Sequence, residues 1–373
     1  MLSIVKSDEL SLMAQTIRAV MVAESPASRV AAVADGPDDY DAKLWQVLSA
    51  DLGVTGVLVP DRFGGLGLGW REARVILAEL GRGLACAPFL LSCVIAPAVL
   101  LSADSAVAAE LLPRIADGSA IVTVALDDED LLGPQPTSRI AASADGNGGW
   151  RLSGEMPFVA YGAAAHHVLV LAARPDGLCG WFAVASDTLG VTIEVLPVID
   201  TTRPQAKIHL DQASAKLAGG FASCETAVGP ILDAAITGLA CEQSAASQFV
   251  LDLTVAYCKT RYQFGQPIGS FQAIQHRLAD LAILVDTSVS AVEYAVWAAA
   301  DEPERWREAA SIAGFVCAET MHAAAAETIQ LHGGVGFTWE HSAHRYFRRA
   351  LASRAQFGLP SRHRERLLQS LSI

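Results

Sequence analysis

Charge is sparse in this chain of 373 residues: only 18% are Asp, Glu, Lys or Arg, against 52% apolar. A chain with so little polarity and so much to bury is neither disordered nor fibrous. Basic residues are the scarcer sign, 27 Lys and Arg against 40 Asp and Glu, for a formal net charge of −13. With no Lys/Arg run as well, the electrostatic footprint of a nucleic-acid binder is missing. The low charged fraction also implies that much surface is covered between subunits. The length fits two or three domains.

Cysteine pairing motifs are absent too. The seven cysteines (Cys86, Cys93, Cys179, Cys224, Cys241, Cys258 and Cys317) are odd in number, and no two have C-x-x-C spacing. Most lie among Ala, Leu or Val. The expectation is buried thiols in a reducing cytosol, with no disulfide framework and no metal site. An export leader is not expected either. Lys6, Asp8 and Glu9 fall where a signal peptide needs an apolar core, so the expected location is cytoplasmic.

One uncharged run, between Arg82 and Asp104, is long enough to imitate a membrane span. Pro88 and Pro97 interrupt it, and Ser92 and small residues dilute it. A buried helix starting near Pro88 fits better, because proline is tolerated at a first helical position. No membrane partner is expected.

What is there falls into three zones by hydrophobic period. Residues 1–118 read as a helical domain, with helical spacing over 41–52 and 70–83. Between these lie Gly64, Gly65, Gly67 and Gly69, which follow no clear strand and read as a tight connection rather than a dinucleotide loop. Residues 119–218 switch to short β-like runs, near 120–126, 150–153, 167–172, 181–185, 191–195 and 207–210, as in a small antiparallel barrel or sandwich. Residues 219–373 return to long helical patterns, over 227–261, 271–300 and 304–331. The first of these is broken near its start by Gly229-Pro230. Patterns this long suggest a C-terminal bundle. Strands and helices are segregated, so the fold class is α+β.

Two stretches in the last zone are specific. One is Arg-Tyr-Gln-Phe-Gly-Gln-Pro-Ile at 261–268, continuing through Gln272 to Asp280; the other is Gln-Leu-His-Gly-Gly-Val-Gly-Phe-Thr-Trp-Glu-His at 330–341. With the α–β–α order and the early Val59-Pro60 and Gly64–Gly67 turn, the whole chain closely resembles the acyl-CoA dehydrogenase family. The finer pattern resembles shorter actinobacterial members that pair with a different chain, several of which act on steroid or branched acyl-CoAs.

The resemblance implies a flavoprotein with FAD held between subunits, introducing a double bond between Cα and Cβ of an acyl thioester. A carboxylate removes the α-proton while hydride leaves Cβ. By family position Arg261 reaches FAD phosphates, for which its always-charged fork is suited. A helix-end cation is the plainer role for that residue. Gln263, Phe264 and Gln272 lie against the same dinucleotide, unless Phe264 is ordinary core. Gln330, Leu331, His332, Gly333 and Gly334 form a turn whose missing side chains admit the cofactor. His332 is not expected to be catalytic, and Trp339, Glu340 and His341 are expected to pack and cap only.

The departures from the family are as informative. One family class has its catalytic Glu where this chain has Phe357, just before Gly358; the other has it where this chain has Ala235. Neither side chain can take a proton. Glu242 shares a helical face with Ala235 but sits about 10 Å along the axis, far beyond proton-transfer reach. It is the fallback base, with a satisfied structural acid as the plainer reading. In the middle domain, the flavin-holding loop and strand of the family correspond to an acidic stretch at 127–130 and to Pro157-Phe-Val-Ala160. The acids would repel a flavin and a CoA phosphate, and hydroxyl donors are missing. One half-site is lost and the other kept. The resulting expectation is a non-catalytic subunit of a heterotetramer. A longer homologous chain would supply the Glu and most of the acyl-CoA site, and electron-transfer flavoprotein would accept the electrons. The rivals are a homomeric dehydrogenase using Glu242 and a structural paralogue that binds no flavin.

Overall fold

The computed structural model describes residues 4–126, 133 and 136–371. Helices α1 (Ile4–Glu24), α2 (Ala27–Ala34), α3 (Ala42–Gln46), α4 (Trp70–Arg82), α5 (Ala96–Leu101) and α6 (Ala106–Ala116) come first. Strands β1 (Val122–Ala125), β2 (Ala141–Ala144), β3 (Trp150–Ala160), β4 (His167–Ala173), β5 (Cys179–Ala185), β6 (Val191–Val195) and β7 (Gln205–Phe221) follow. Then come α7 (Cys224–Thr260), a short hairpin of β8 (Tyr262–Gln263) and β9 (Gln266–Pro267), α8 (Gln272–Asp301), α9 (Trp306–His332), α10 (Ala343–Ser353) and α11 (Pro360–Ser370). By packing these form two compact units, neither contiguous in the chain. The helical unit is Met1–Val30, Arg74–Ala85 and Leu239–Ile373; the sheet unit is Ala31–Ala73 and Cys86–Gly238.

In the sheet unit, five of the seven strands close into a ring, with β1 on β4 and β6 on β7 outside it. β4, β5, β7 and β3 pair antiparallel in that order, β2 joins β3, and a single parallel bridge, Ala141 to Ala173, returns from β2 to β4. Leu152, Val159, Val170, Phe182, Ile208 and Leu210 fill the inside. The sheet is mixed rather than wholly antiparallel, because β1 also pairs parallel with β4 along four residues. β2, Ala-Ala-Ser-Ala, carries no β-branched or aromatic residue and gives no period-2 signal. The uncharged run near Pro88 is a short helix, its segment from Leu90 to Leu100 almost wholly buried. The glycines at 64–67 form the tight connection: the N–H groups of Leu66, Gly67 and Leu68 donate to Gly56, Val59 and Val57.

α7 begins in this unit and runs unbroken through Pro230. That proline, seventh in the helix, forfeits the bond its N–H would make to the Thr226 carbonyl. Cys224, at its first residue, forms a disulfide with Cys179 of β5, with Cα atoms 5.6 Å apart. This corrects the expectation that all thiols are free. The residues are 45 apart in sequence, and only the antiparallel pairing of β5 with the end of β7 brings them together. Cys86, Cys93, Cys241, Cys258 and Cys317 are free and buried.

In the helical unit, α9 is lined with buried small residues, among them Ala309, Ala313, Ala318 and Ala324. These let neighbouring helices approach closely. Buried hydroxyl pairs join them, Ser244 with Ser288 (2.9 Å) and Thr254 with Thr328 (2.9 Å). At Gly81 of α4 an added Cβ would sit 2.5 Å from the Glu242 Cα, so α4 and α7 meet backbone to backbone. α7, α8 and the α9 region are each long and apolar enough, by length and composition, to cross a membrane. Within this chain 78% of the most apolar stretch of α7 is buried, but only 44% of that of α8.

Candidate functional site

The site is built at two helix ends of the helical unit. α7 stops at Thr260. The Arg261 N–H donates to the Tyr257 carbonyl (2.8 Å), and the Arg261 carbonyl accepts from Ile268 N–H (2.8 Å). Its backbone is therefore clamped at the base of the β8–β9 hairpin. The guanidinium is exposed and, among the described residues, has no carboxylate partner. The turn residues Phe264 (φ 53°) and Gly265 (φ 80°) are both left-handed, as a two-residue hairpin turn following the strand twist requires. Phe264 is not core: it is 92% exposed and meets the edge of Phe271 at 6.2 Å between centroids. Gln263 and Gln272, the first residue of α8, are exposed.

The second helix end is that of α9. Gln330 is exposed and Leu331 half-buried. Gly333 has φ 61° and ψ −139°, a conformation open only to glycine. At Gly333 and Gly334 an added Cβ would meet nothing within 4 Å. Packing in this chain therefore does not explain the missing side chain at Gly334. An exposed cation, exposed amides and a bare turn match what a dinucleotide phosphate and its nucleoside need, so the residues present fit FAD.

His332 is different: it is buried. Its ring stacks on Tyr257 (4.2 Å, 22° between planes) and lies 4.6 Å from His341. Its Nδ1 is 2.8 Å from the Thr328 carbonyl. Burial holds its imidazole below the usual histidine range, against the opposing pull of that hydrogen bond. His341 Nδ1 accepts from Ala343 N–H (3.2 Å) at the start of α10, which makes it a cap. Trp339 stays exposed beneath Arg348. Tyr257 carried no motif signal of its own. Tyr257 lies one helical turn before Arg261, which is the clue available in the sequence.

Ala235 and Phe357 stand at the two positions that the sequence resemblance matches to a base. Ala235 is fully buried in α7. Phe357 is 1% exposed at φ 60°, followed by Gly358 at φ 114°. Glu242 is buried, with an oxygen 3.8 Å from the Arg349 guanidinium, itself buried. It is thus held as half of an ion pair. At the end of β3, Val159 and Ala160 are buried and Phe158 exposed. The nearby Thr123 hydroxyl donates to the Ala160 carbonyl (2.7 Å). The acidic stretch at 127–130 lies outside the described residues. No cluster of metal-binding side chains occurs among the described residues.

Comparison with known proteins gives matches along the whole chain. A sequence model of the acyl-CoA dehydrogenase N-terminal domain matches residues 7–119, and one of the C-terminal domain matches residues 232–371. The acyl-CoA dehydrogenase IpdE2 of Mycolicibacterium smegmatis is 31% identical over 364 residues, covering 97% of this chain and 98% of that one. Among solved structures, a variant of the Tcur3481–Tcur3483 steroid ACAD superposes with a TM-score of 0.88 at 32% identity, covering 98% of both chains. The ChsE4–ChsE5 complex from Mycobacterium tuberculosis does so with a TM-score of 0.87 at 29% identity, covering 97% of both.

Proposed function

The chain belongs to the acyl-CoA dehydrogenase family, and from that premise we propose that it is the non-catalytic subunit of a two-component, FAD-dependent enzyme of the steroid acyl-CoA type. The observation that carries the reading is the contrast between its two half-sites. Ala235 and Phe357 fill the base positions with buried apolar side chains, while Arg261 and the Gly333–Gly334 turn stand open. The similar ChsE4–ChsE5 and Tcur3481–Tcur3483 proteins are pairs of chains, which supports the same organisation here.

FAD, when bound, takes up the hydride that leaves the acyl Cβ. This chain's residues hold rather than react. Arg261 neutralises phosphate charge with a fixed fork. Gln263 and Gln272 offer amide donors and acceptors beside it, Phe264 offers a ring face, and the turn from Gln330 to Gly334 offers bare backbone. Proton abstraction and most acyl-CoA contacts belong to the longer homologous partner, which would hand electrons to electron-transfer flavoprotein. The half-buried apolar face of α8, with Ile283 and Leu284 exposed, suits cover by that partner. The Glu242–Arg349 pair weighs against the homomeric rival.

The test is to purify this chain alone and co-expressed with a longer homologous chain from the same genome. The expected result is colourless protein alone and a flavinated complex together. In that complex Glu242→Gln leaves the rate of flavin reduction by acyl-CoA unchanged. One FAD per chain in a purified homomer, or loss of reduction in a fully flavinated Glu242→Gln complex, overturns the assignment.

A further inference from the structure

We infer that His332 is a positioning residue: its ring is the clasp that fixes the Gly333–Gly334 turn against the helix end carrying Arg261. The inference rests on the reading above that these two segments grip one FAD together. The ring is nearly buried while Gly333, Gly334 and Val335 next to it are exposed. It stacks on Tyr257, whose carbonyl accepts the Arg261 N–H. On its other side it meets His341, which caps α10. Three chain segments therefore converge on one imidazole: the last turn of α7, the last turn of α9 and the start of α10.

The hydrogen bonding fixes the ring further. A carbonyl can only accept, so the contact with Thr328 puts the proton on Nδ1 and leaves Nε2 bare. The ring cannot rotate without breaking that bond and both ring contacts. The turn's other bonds are local: Gly333 N–H donates to the Ile329 and Gln330 carbonyls, and Thr338 N–H to the Val335 carbonyl. Side chains are absent at Gly333 and Gly334, and at Gly336 an added Cβ would meet the His332 Cβ and the Ile329 backbone. A turn that meets a cofactor through its backbone needs its position set from behind, and His332 is the group placed to do so.

Aromatic shape, not basicity, is the property that matters, so phenylalanine should substitute and alanine should not. Two readouts separate the clasp from the cofactor reading. Hydrogen exchange in the FAD-free full chain follows the backbone at 261–271 and 333–341. Retained flavin after dialysis of the co-expressed complex follows the grip. For His332→Ala, exchange should quicken about tenfold in both segments together and retained flavin should fall about tenfold, the loss of a well-packed ring contact. His332→Phe keeps the stack but not the Thr328 bond, and should restore most of both. Should His332→Ala fail to fold, Tyr257→Leu removes the same stack from the other side and must quicken the same two segments. Exchange at 261–271 that stays at the wild-type rate, or His332→Phe as defective as His332→Ala, overturns the inference. If Arg261→Ala keeps its flavin while His332→Ala still quickens both segments, the clasp stands and the cofactor reading fails.

Discussion

Two Phe-Gly pairs face opposite ways. Phe264-Gly265 and Phe357-Gly358 both put a phenylalanine at positive φ, 53° and 60°, ahead of a glycine at 80° and 114°. A left-handed non-glycine residue costs about 1–2 kcal/mol, and such strain persists only where its surroundings over-determine it. For Phe357 the compensation is visible, since its ring is 1% exposed and the site is packed solid. For Phe264 it comes from the backbone of the β8–β9 hairpin turn and not from the ring, which is 92% exposed and touches little beyond Phe271. One pair seals the place that the sequence resemblance matches to a base. The other holds a ring outward at the proposed cofactor edge.

Three experiments bear on that contrast. The largest effect is expected from Phe357→Glu. An unpaired carboxylate at a sealed position should cost about 3–5 kcal/mol of stability, read from urea unfolding. Near-normal stability would show that the place is not sealed.

The next concerns His363, whose ring lies against Gly358. Burial first, then the charge of Arg366, pushes its pKa down from 6.5 to about 4, with a hydrogen bond at Gly358 opposing. Above pH 6.5 the ring is neutral in both folded and unfolded chains, and the fold is unpenalised. Below it the unfolded chain gains a proton that the folded chain refuses. Stability should therefore fall as pH drops from 6.5 towards 4, by on the order of 3 kcal/mol from this group. His363→Gln should flatten that part of the profile; an unchanged slope would place the acid sensitivity elsewhere.

The smallest effect is at Phe264. Asparagine tolerates left-handed backbone better, so Phe264→Asn should raise the stability of the isolated chain by about 0.5–1 kcal/mol. It should at the same time weaken assembly with the partner, measured by sedimentation. Assembly that is unaffected would leave the exposed ring without a role.

The helices were readable because each repeats its apolar residues over many turns. The runs at 227–261, 271–300 and 304–331 correspond to α7, α8 and α9 within a few residues. β2 was not, because four small residues have no period, and the parallel pairing of β1 with β4 depends on contacts far apart in the chain. The Cys179–Cys224 disulfide escaped for the same reason. At the site, the motif located Arg261 and the Gly-Gly turn. The inward stack of His332 between Tyr257 and His341 needed three segments in space. The exposure of Phe264 could not be read from composition, since a phenylalanine is ordinarily buried.

The discontinuity of the helical unit sets an order on the chain's synthesis. α1 and α4 leave the ribosome early, and α4 carries Ile76, Leu77 and Leu80, all buried in the finished protein. The face of α4 that closes at Gly81 against Glu242 has no counterpart until residues beyond 239 exist. At roughly 5–20 residues per second, synthesis of residues 239–373 takes on the order of ten seconds. The sheet unit lies wholly upstream of that stretch and can fold in the interval. The nascent chain therefore carries a finished sheet beside waiting apolar helices, an intermediate suited to a holding chaperone.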